Sequence, residues 1–296
     1  MHHRRLAALA AACVLAALVP ATATPRAGDA HWLTPDLIAR VDAAGARGVP
    51  LPADVAGDAA TAAIAFAGIR PGTLLLFVRR TGTRDVEVSN CTANFVFQET
   101  AGAFDPSQQL YLGTAGHCID ATGEAVTAVA VAPGTTTPVV ITVGTVVLTT
   151  PAPDDFALIA IDPALNSWVS PSVAYWGGPT GVYGGSAGGI GTMVGYGGYA
   201  GGAVPRAGEL TVYNSTQFRL RYPGAVGDSG GPVLTAEGEA VGEISEFEDG
   251  TDPLGPRLVG VGSVGPSLPR MLALSGKALS TCPTRTPWPL AGCPPL

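Results

Sequence analysis

From about residue 69 the chain runs through short apolar segments, each closed by glycine, proline, threonine or aspartate. This pattern limits the fold more than any other feature. The segments fall at 73–78, 91–98, 110–114, 126–131, 139–148, 156–161, 192–195, 210–213, 217–221, 231–234, 240–244 and 258–264. A dozen strand-length runs separated by turn residues specify an all-β sandwich or barrel. Helix is scarce. The candidates are 267–274 and an earlier stretch at 35–41, where Thr34 precedes Pro35 as an N-cap. A length of 296 residues suggests about two domains, yet all-β units of 200–250 residues often form one.

The first residues carry a different signal. Arg4 and Arg5 precede a 13-residue apolar run at 6–18, and Ala21-Thr22-Ala23 forms a small-residue cleavage site. This is the pattern of a secretory signal peptide. The run is shorter than the roughly 20 residues a membrane-spanning helix needs. The expected organisation is therefore a signal at 1–23, a propeptide or N-terminal extension at 24–68, a β domain at 69–273 and a Cys/Pro-containing tail at 274–296. Secretion to the extracellular space is expected, with no membrane association once the signal is removed. Loss of 1–23 takes Cys13 and both arginines, moving the net charge from −7 to −9. Four cysteines remain, Cys91, Cys118, Cys282 and Cys293, and an even number in a secreted chain implies disulfides. Three pairings are possible, and the spacing favours Cys91–Cys118 with Cys282–Cys293. No C-x-x-C occurs, which argues against zinc; neither a metal nor a cofactor is expected. An acidic chain whose one lysine is Lys277 offers no basic face for nucleic acid.

Chemistry concentrates in three segments: Thr114-Ala115-Gly116-His117-Cys118, Asp154-Asp155-Phe156-Ala157-Leu158 and Gly227-Asp228-Ser229-Gly230-Gly231-Pro232. A serine hydroxyl is a weak nucleophile until an adjacent base takes its proton. Imidazole, with an ordinary pKa near 6.5, suits that role, and it needs an acceptor on its other nitrogen to hold it. In the order His, Asp, Ser, these segments resemble the chymotrypsin-like serine proteases of the secreted bacterial type, over roughly residues 69–273. The resemblance implies two antiparallel six-stranded β-barrels with the active site between them and a short C-terminal helix. It implies His117 as base, Asp155 as its orienting acid and Ser229 as nucleophile, with the amides of Gly227 and Ser229 as oxyanion hole. Asp155 is preferred to Asp154 on the Asp-Phe-Ala-Leu match, which leaves Asp154 a solvated neighbour. A Cys91–Cys118 bridge would tie the loop bearing His117 to the strand that begins at Cys91. Activity should fall below about pH 6 as His117 protonates. The expected partners are protein or peptide substrates, cleaved by a monomer.

Counting excludes one rival. Gly227-x-Ser229-x-Gly231 also fits the nucleophile elbow of α/β-hydrolases, which requires a histidine after the serine, and none follows His117. Subtilisin order could be forced with Asp105, against the all-β texture. The remaining alternative is a catalytically inactive, protease-like binding or adhesion module. For specificity, the resemblance points to Pro223 at the base of the primary pocket and to Ser245, Glu246 and Phe247 as its wall. Residues 237–252 carry seven acids and no Lys or Arg. That segment is either a solvated loop or an acidic wall favouring Arg or Lys at the cleavage position; a Ca²⁺ site is a weaker option. In zymogen-type members the residue equivalent to Asp228 pairs with a new N-terminus. No suitable N-terminal sequence occurs upstream here, so an arginine or a backbone cap is expected instead. The stretch 177–202, with 13 glycines in 26 residues, reads as a long loop or bulged strand pair. The sequons at Asn90 and Asn214 read as coincidence, and His31 as idle.

Overall fold

Strands built of consecutive apolar residues, such as Leu74-Leu75-Leu76-Phe77, need cover on both faces, because successive side chains point to opposite sides. The computed structural model, which describes residues 32–55, 68–80, 86–184, 188–195, 204–222, 224, 226–247 and 261–280, supplies both covers. Leu75 and Phe77 enter one core with Leu112, Ile141 and Ile159, inside the first sheet. Leu74 and Leu76 enter a second core outside it, with Phe97, Phe156 and residues from both ends of the chain. The signal segment 1–23, His31, Pro223 and the tail with Cys282 and Cys293 lie outside the described residues.

The first sheet contains β2 (Leu74–Arg80), β3 (Val86–Thr92), β4 (Val96–Gln98), β5 (Leu110–Ala115), β6 (Ala125–Val131), β7 (Pro138–Thr149) and β8 (Phe156–Ile161). Its order is β4-β5-β8-β7-β6-β2-β3, antiparallel throughout. The two ends of that order are neighbours in sequence, separated only by 93–95. The Ala93 amide still bonds Thr73 O on the β2 side (2.9 Å), and the next amide, of Asn94, bonds Gly113 O in β5 (2.8 Å). One bent strand therefore closes the sheet into a six-stranded barrel. The sequence reads 91–98 as a single run, and the bend at its centre is what makes the closure.

The second sheet repeats the device. Its strands are β9 (Gly189–Gly195), β10 (Val204–Val212), β11 (Gln217–Tyr222), β12 (Pro232–Thr235), β13 (Ala240–Glu243), β14 (Glu246–Phe247) and β15 (Val261–Pro266), in the order β13-β12-β9-β10-β11-β15-β14. Only Ile244 and Ser245 separate β13 from β14, so a bent strand again joins the two edges. Within this barrel Met193, Leu210, Leu220, Tyr222 and Val233 pack together. The architecture is thus two six-stranded antiparallel barrels, and α2 (Leu268–Ser275) is the short C-terminal helix.

The chain ends cover the first barrel. Helix α1 (Pro35–Ala44) starts where the sequence places it, with Thr34 Oγ1 accepting from the Leu37 amide, and runs three residues further than expected. Trp32, Leu33, Leu37, Ile38 and Val41 are buried in the outer core. Next, β1 (Val49–Pro50) pairs with β7 through Val49 and Val140. At the other end, β16 (Ala278–Leu279) pairs with β4. Residues 32–55 are therefore packed structure, joined to the barrel by backbone pairing and by apolar burial. Among the described residues no helix is long and apolar enough to cross a membrane.

Candidate active site

Each segment that carries chemistry sits where a strand ends at the junction of the barrels. Strand β5 runs into a single 3₁₀ turn, Gly116–Cys118, that carries His117. Cys118 in this turn is bonded to Cys91 near the end of β3, so the histidine turn is stapled to a neighbouring strand. Cys91, His117 and Cys118 group closely enough to hold a metal, but the bridge has consumed both sulfurs.

Asp155 ends the β7–β8 turn, fully buried, with a left-handed backbone at φ 37°. Aspartate tolerates that conformation better than most side chains. The turn holds itself through Thr150, whose amide and hydroxyl both bond Phe156 O (2.8 and 3.0 Å). Asp155 Oδ1 accepts from the His117 amide at 2.7 Å, and Oδ2 from His117 Nδ1 at 2.7 Å. Ser245 Oγ donates to Oδ2 as well. A carboxylate only accepts, so Nδ1 carries the proton and, in the neutral imidazole, Nε2 keeps its lone pair. The hydrogen bond to Asp155 raises the His117 pKa above 6.5, and the charges of Asp155 and Glu246 add to the effect.

The second barrel supplies Ser229 in a turn whose glycines are obligatory. Gly227 and Gly230 have φ of 102° and 84°. A side chain on Gly230 would also meet Thr92 O at 2.2 Å and Thr114 Oγ1 at 2.4 Å. Thr92, absent from the sequence expectations, clasps this turn across the barrel junction. Its hydroxyl donates to Gly227 O at 2.8 Å, and its amide to Ser229 O at 2.8 Å. The amides of Gly230 and Gly231 bond Ile244 O and Asp228 O.

Asp228 points inward, fully buried. Arg206, itself buried, donates to Asp228 Oδ2, and Tyr222 OH donates to the same oxygen at 3.2 Å. The internal arginine is thus one of the two partners expected in place of a new N-terminus. It comes from β10, directly after the glycine-rich stretch, where no motif marks it. Asp154 is not the solvated neighbour expected: Arg270 of α2 clasps both its oxygens at 2.7 Å and anchors the acid-bearing turn to the C-terminal helix.

His117, Asp155, Ser229, Ser245 and Glu246 line one open cleft of about 810 Å³, whose other walls include Ile119, Asp120, Thr149, Ala152 and Val226. The Ser245 side chain is turned to Asp155. Glu246 stands in the cleft wall, and Phe247 follows it in β14, paired with β15 at Ser263. Of the seven acids in 237–252, Glu243 is buried, whereas Glu248, Asp249 and Asp252 lie outside the described residues.

No family model matches the chain, and no curated protein matches it. Among solved structures it is similar to a thermostable serine protease, AL20, from an extremophilic microorganism. The two share 14% identity over 67% of this chain and 91% of that one, with a TM-score of 0.44. It is also similar to the HtrA-type protease AlgW with a decapeptide, at 14% identity over 73% of this chain and 66% of that one, TM-score 0.46. The likeness is distant, and the site is defined by its own geometry.

Proposed function

We propose that the chain is a secreted serine endopeptidase that cleaves peptide bonds through an acyl-enzyme. The observation that carries this reading is Asp155. It holds both the backbone and the Nδ1 of a histidine that lines one cleft with Ser229. Ser229 Oγ attacks the scissile carbonyl carbon while His117 Nε2 takes its proton. The oxyanion is met by the amides of Gly227 and Ser229, each such donor being worth about 3–4 kcal/mol. The imidazolium returns the proton to the leaving amine, which departs and leaves an ester on Ser229. Water then repeats the sequence, with His117 again as base, releasing the acid and the free serine.

Signal removal and export deliver the enzyme, and Arg206 holds Asp228 without any proteolytic event. The acidic wall at Glu246 supports a preference for substrates with Arg or Lys near the scissile bond. A fluorogenic peptide panel tests this preference, and equal cleavage after apolar residues contradicts it. The reading itself is tested with purified variants. Ser229→Ala and His117→Ala should each lower kcat on the order of 10⁴-fold or more, with folding intact. A wild-type protein as inert as Ser229→Ala would indicate the binding module instead.

A further inference from the structure

Behind the catalytic groups lies a second carboxyl that the mechanism does not use. Glu243, the last residue of β13, is fully buried. Its Oε2 accepts from Asn94 Nδ2, across the junction between the barrels. Its Oε1 is buried and meets no donor among the described residues. A carboxylate with one oxygen unpaired in such a place would be costly, whereas a carboxylic acid costs far less.

Among the described residues, few groups face this carboxyl. Asn94 comes from the β3–β4 bend, and Asp155 from the β7–β8 turn contributes the charge. Strand β12 pairs Pro232 against it, and β15 brings Gly265 against its backbone. Asp155 already accepts three donors, the arrangement of an ionised carboxylate. Two negative charges in one buried seam are unfavourable, and such pairs divide into one charged and one neutral member. Burial first, then the charge of Asp155, push the Glu243 carboxyl well above the usual carboxylate range.

The position of Glu243 gives the neutral acid a task. On one side, Asn94 lies over Gly113, where any side chain would meet Asn94 Oδ1 at 1.9 Å. Its amide bonds Gly113 O in β5, the strand that runs directly into His117. On the other side, Ile244 bonds the amide of Gly230 and the carbonyl of Gly231 in the nucleophile turn, and Ser245 holds Asp155. We propose that Glu243 is a positioning residue acting as a neutral acid. Through Asn94 it sets the strand that carries the base in register with the chain that holds the nucleophile and Asp155. The role deepens the protease reading and rests on it, but the protonation state is testable without any activity.

The experiment compares the full-length secreted protein with Glu243→Gln, Glu243→Ala and Asn94→Ala. Infrared difference spectra between wild type and Glu243→Gln at neutral pH should show a protonated-carboxyl band that the variant lacks. A carboxylate band in its place overturns the proposal. A proton retained by the folded protein but released by the unfolded chain means that stability falls as pH rises above the ordinary glutamate range. The unfolding midpoint of Glu243→Gln should therefore gain on wild type as pH is raised, and a pH-independent difference overturns the proposal. In peptide hydrolysis, Asn94→Ala should lower kcat about tenfold or more with KM little changed. Glu243→Gln should rescue the activity that Glu243→Ala loses. Equal losses in Gln and Ala variants that remain folded, or no loss in Asn94→Ala, overturn the proposal. If wild type cleaves nothing, the protease reading fails, while the spectra and the midpoints still decide the state of Glu243.

Discussion

At the scale of single residues, the charges of the site are held by specific donors, three on Asp155 and two on Asp228. His117 is raised by its bond to Asp155 and further by Glu246. Only neutral imidazole accepts the serine proton, so a raised pKa moves the acid limb of kcat/KM upward. Glu246→Gln should shift that limb toward lower pH, and a pH–rate profile on a neutral peptide checks it; an unmoved limb removes Glu246 from the field at the base. Arg206 and Asp228 form the buried counterpart. Removing one partner leaves the other charge uncompensated in the core, so Arg206→Met should destabilise by about 3–5 kcal/mol. Urea unfolding measures the loss, and a midpoint equal to wild type would show that Asp228 relies on another group. The segments around His117 and Ser229 were legible as chemical residue types set among glycines, and Asp155 through the Asp-Phe-Ala-Leu match. Arg206, Thr92 and Asn94 were not, because each acts through a contact more than 20 positions away that no local spacing encodes.

At the scale of elements, the strands were legible from apolar runs, and the misses share one cause. Residues 86–90 alternate polar with apolar and pair with the outer end of β2, so they lack the continuous run that marks the buried strands. The two-residue strands β1, β14 and β16 are defined by their partners, not by their composition. The segment expected as a propeptide or N-terminal extension packs on the first barrel: α1 and β1 cover its outer face, and none of their residues lines the cleft shared by His117 and Ser229. Leu33, almost fully buried, tests its role. Leu33→Ala should cost the mature protein about 2–5 kcal/mol, and an unchanged melting temperature would mean that the segment has left the mature chain. The Cys91–Cys118 bridge closes a loop with a sequence separation of 27. Replacing both cysteines by serine should cost about 3.5 kcal/mol on the chain-entropy account, read from denaturant midpoints; no loss would place the stability of the histidine turn elsewhere.

At the scale of the whole molecule, two barrels closed by bent strands bring together groups from opposite halves of the chain. The first barrel contributes His117 and Asp155, and the second contributes Ser229. Both bends lie at the junction: Asn94 is in the first, and Ile244 and Ser245 form the second. The geometry that closes each barrel therefore also joins the site, which is why disturbing the seam should alter turnover before substrate binding. From the sequence, the absence of any histidine after residue 117 argued against the α/β-hydrolase order, and the order His, Asp, Ser carried the resemblance. How the halves register against each other needed the fold. Whether Ser229 is a nucleophile activated by His117 is decided by mass-spectrometric mapping after treatment with an organophosphate. The expected result is a stoichiometric adduct on Ser229 in the purified protein, lost in His117→Ala. An unmodified Ser229, or an adduct equally abundant in His117→Ala, would contradict it.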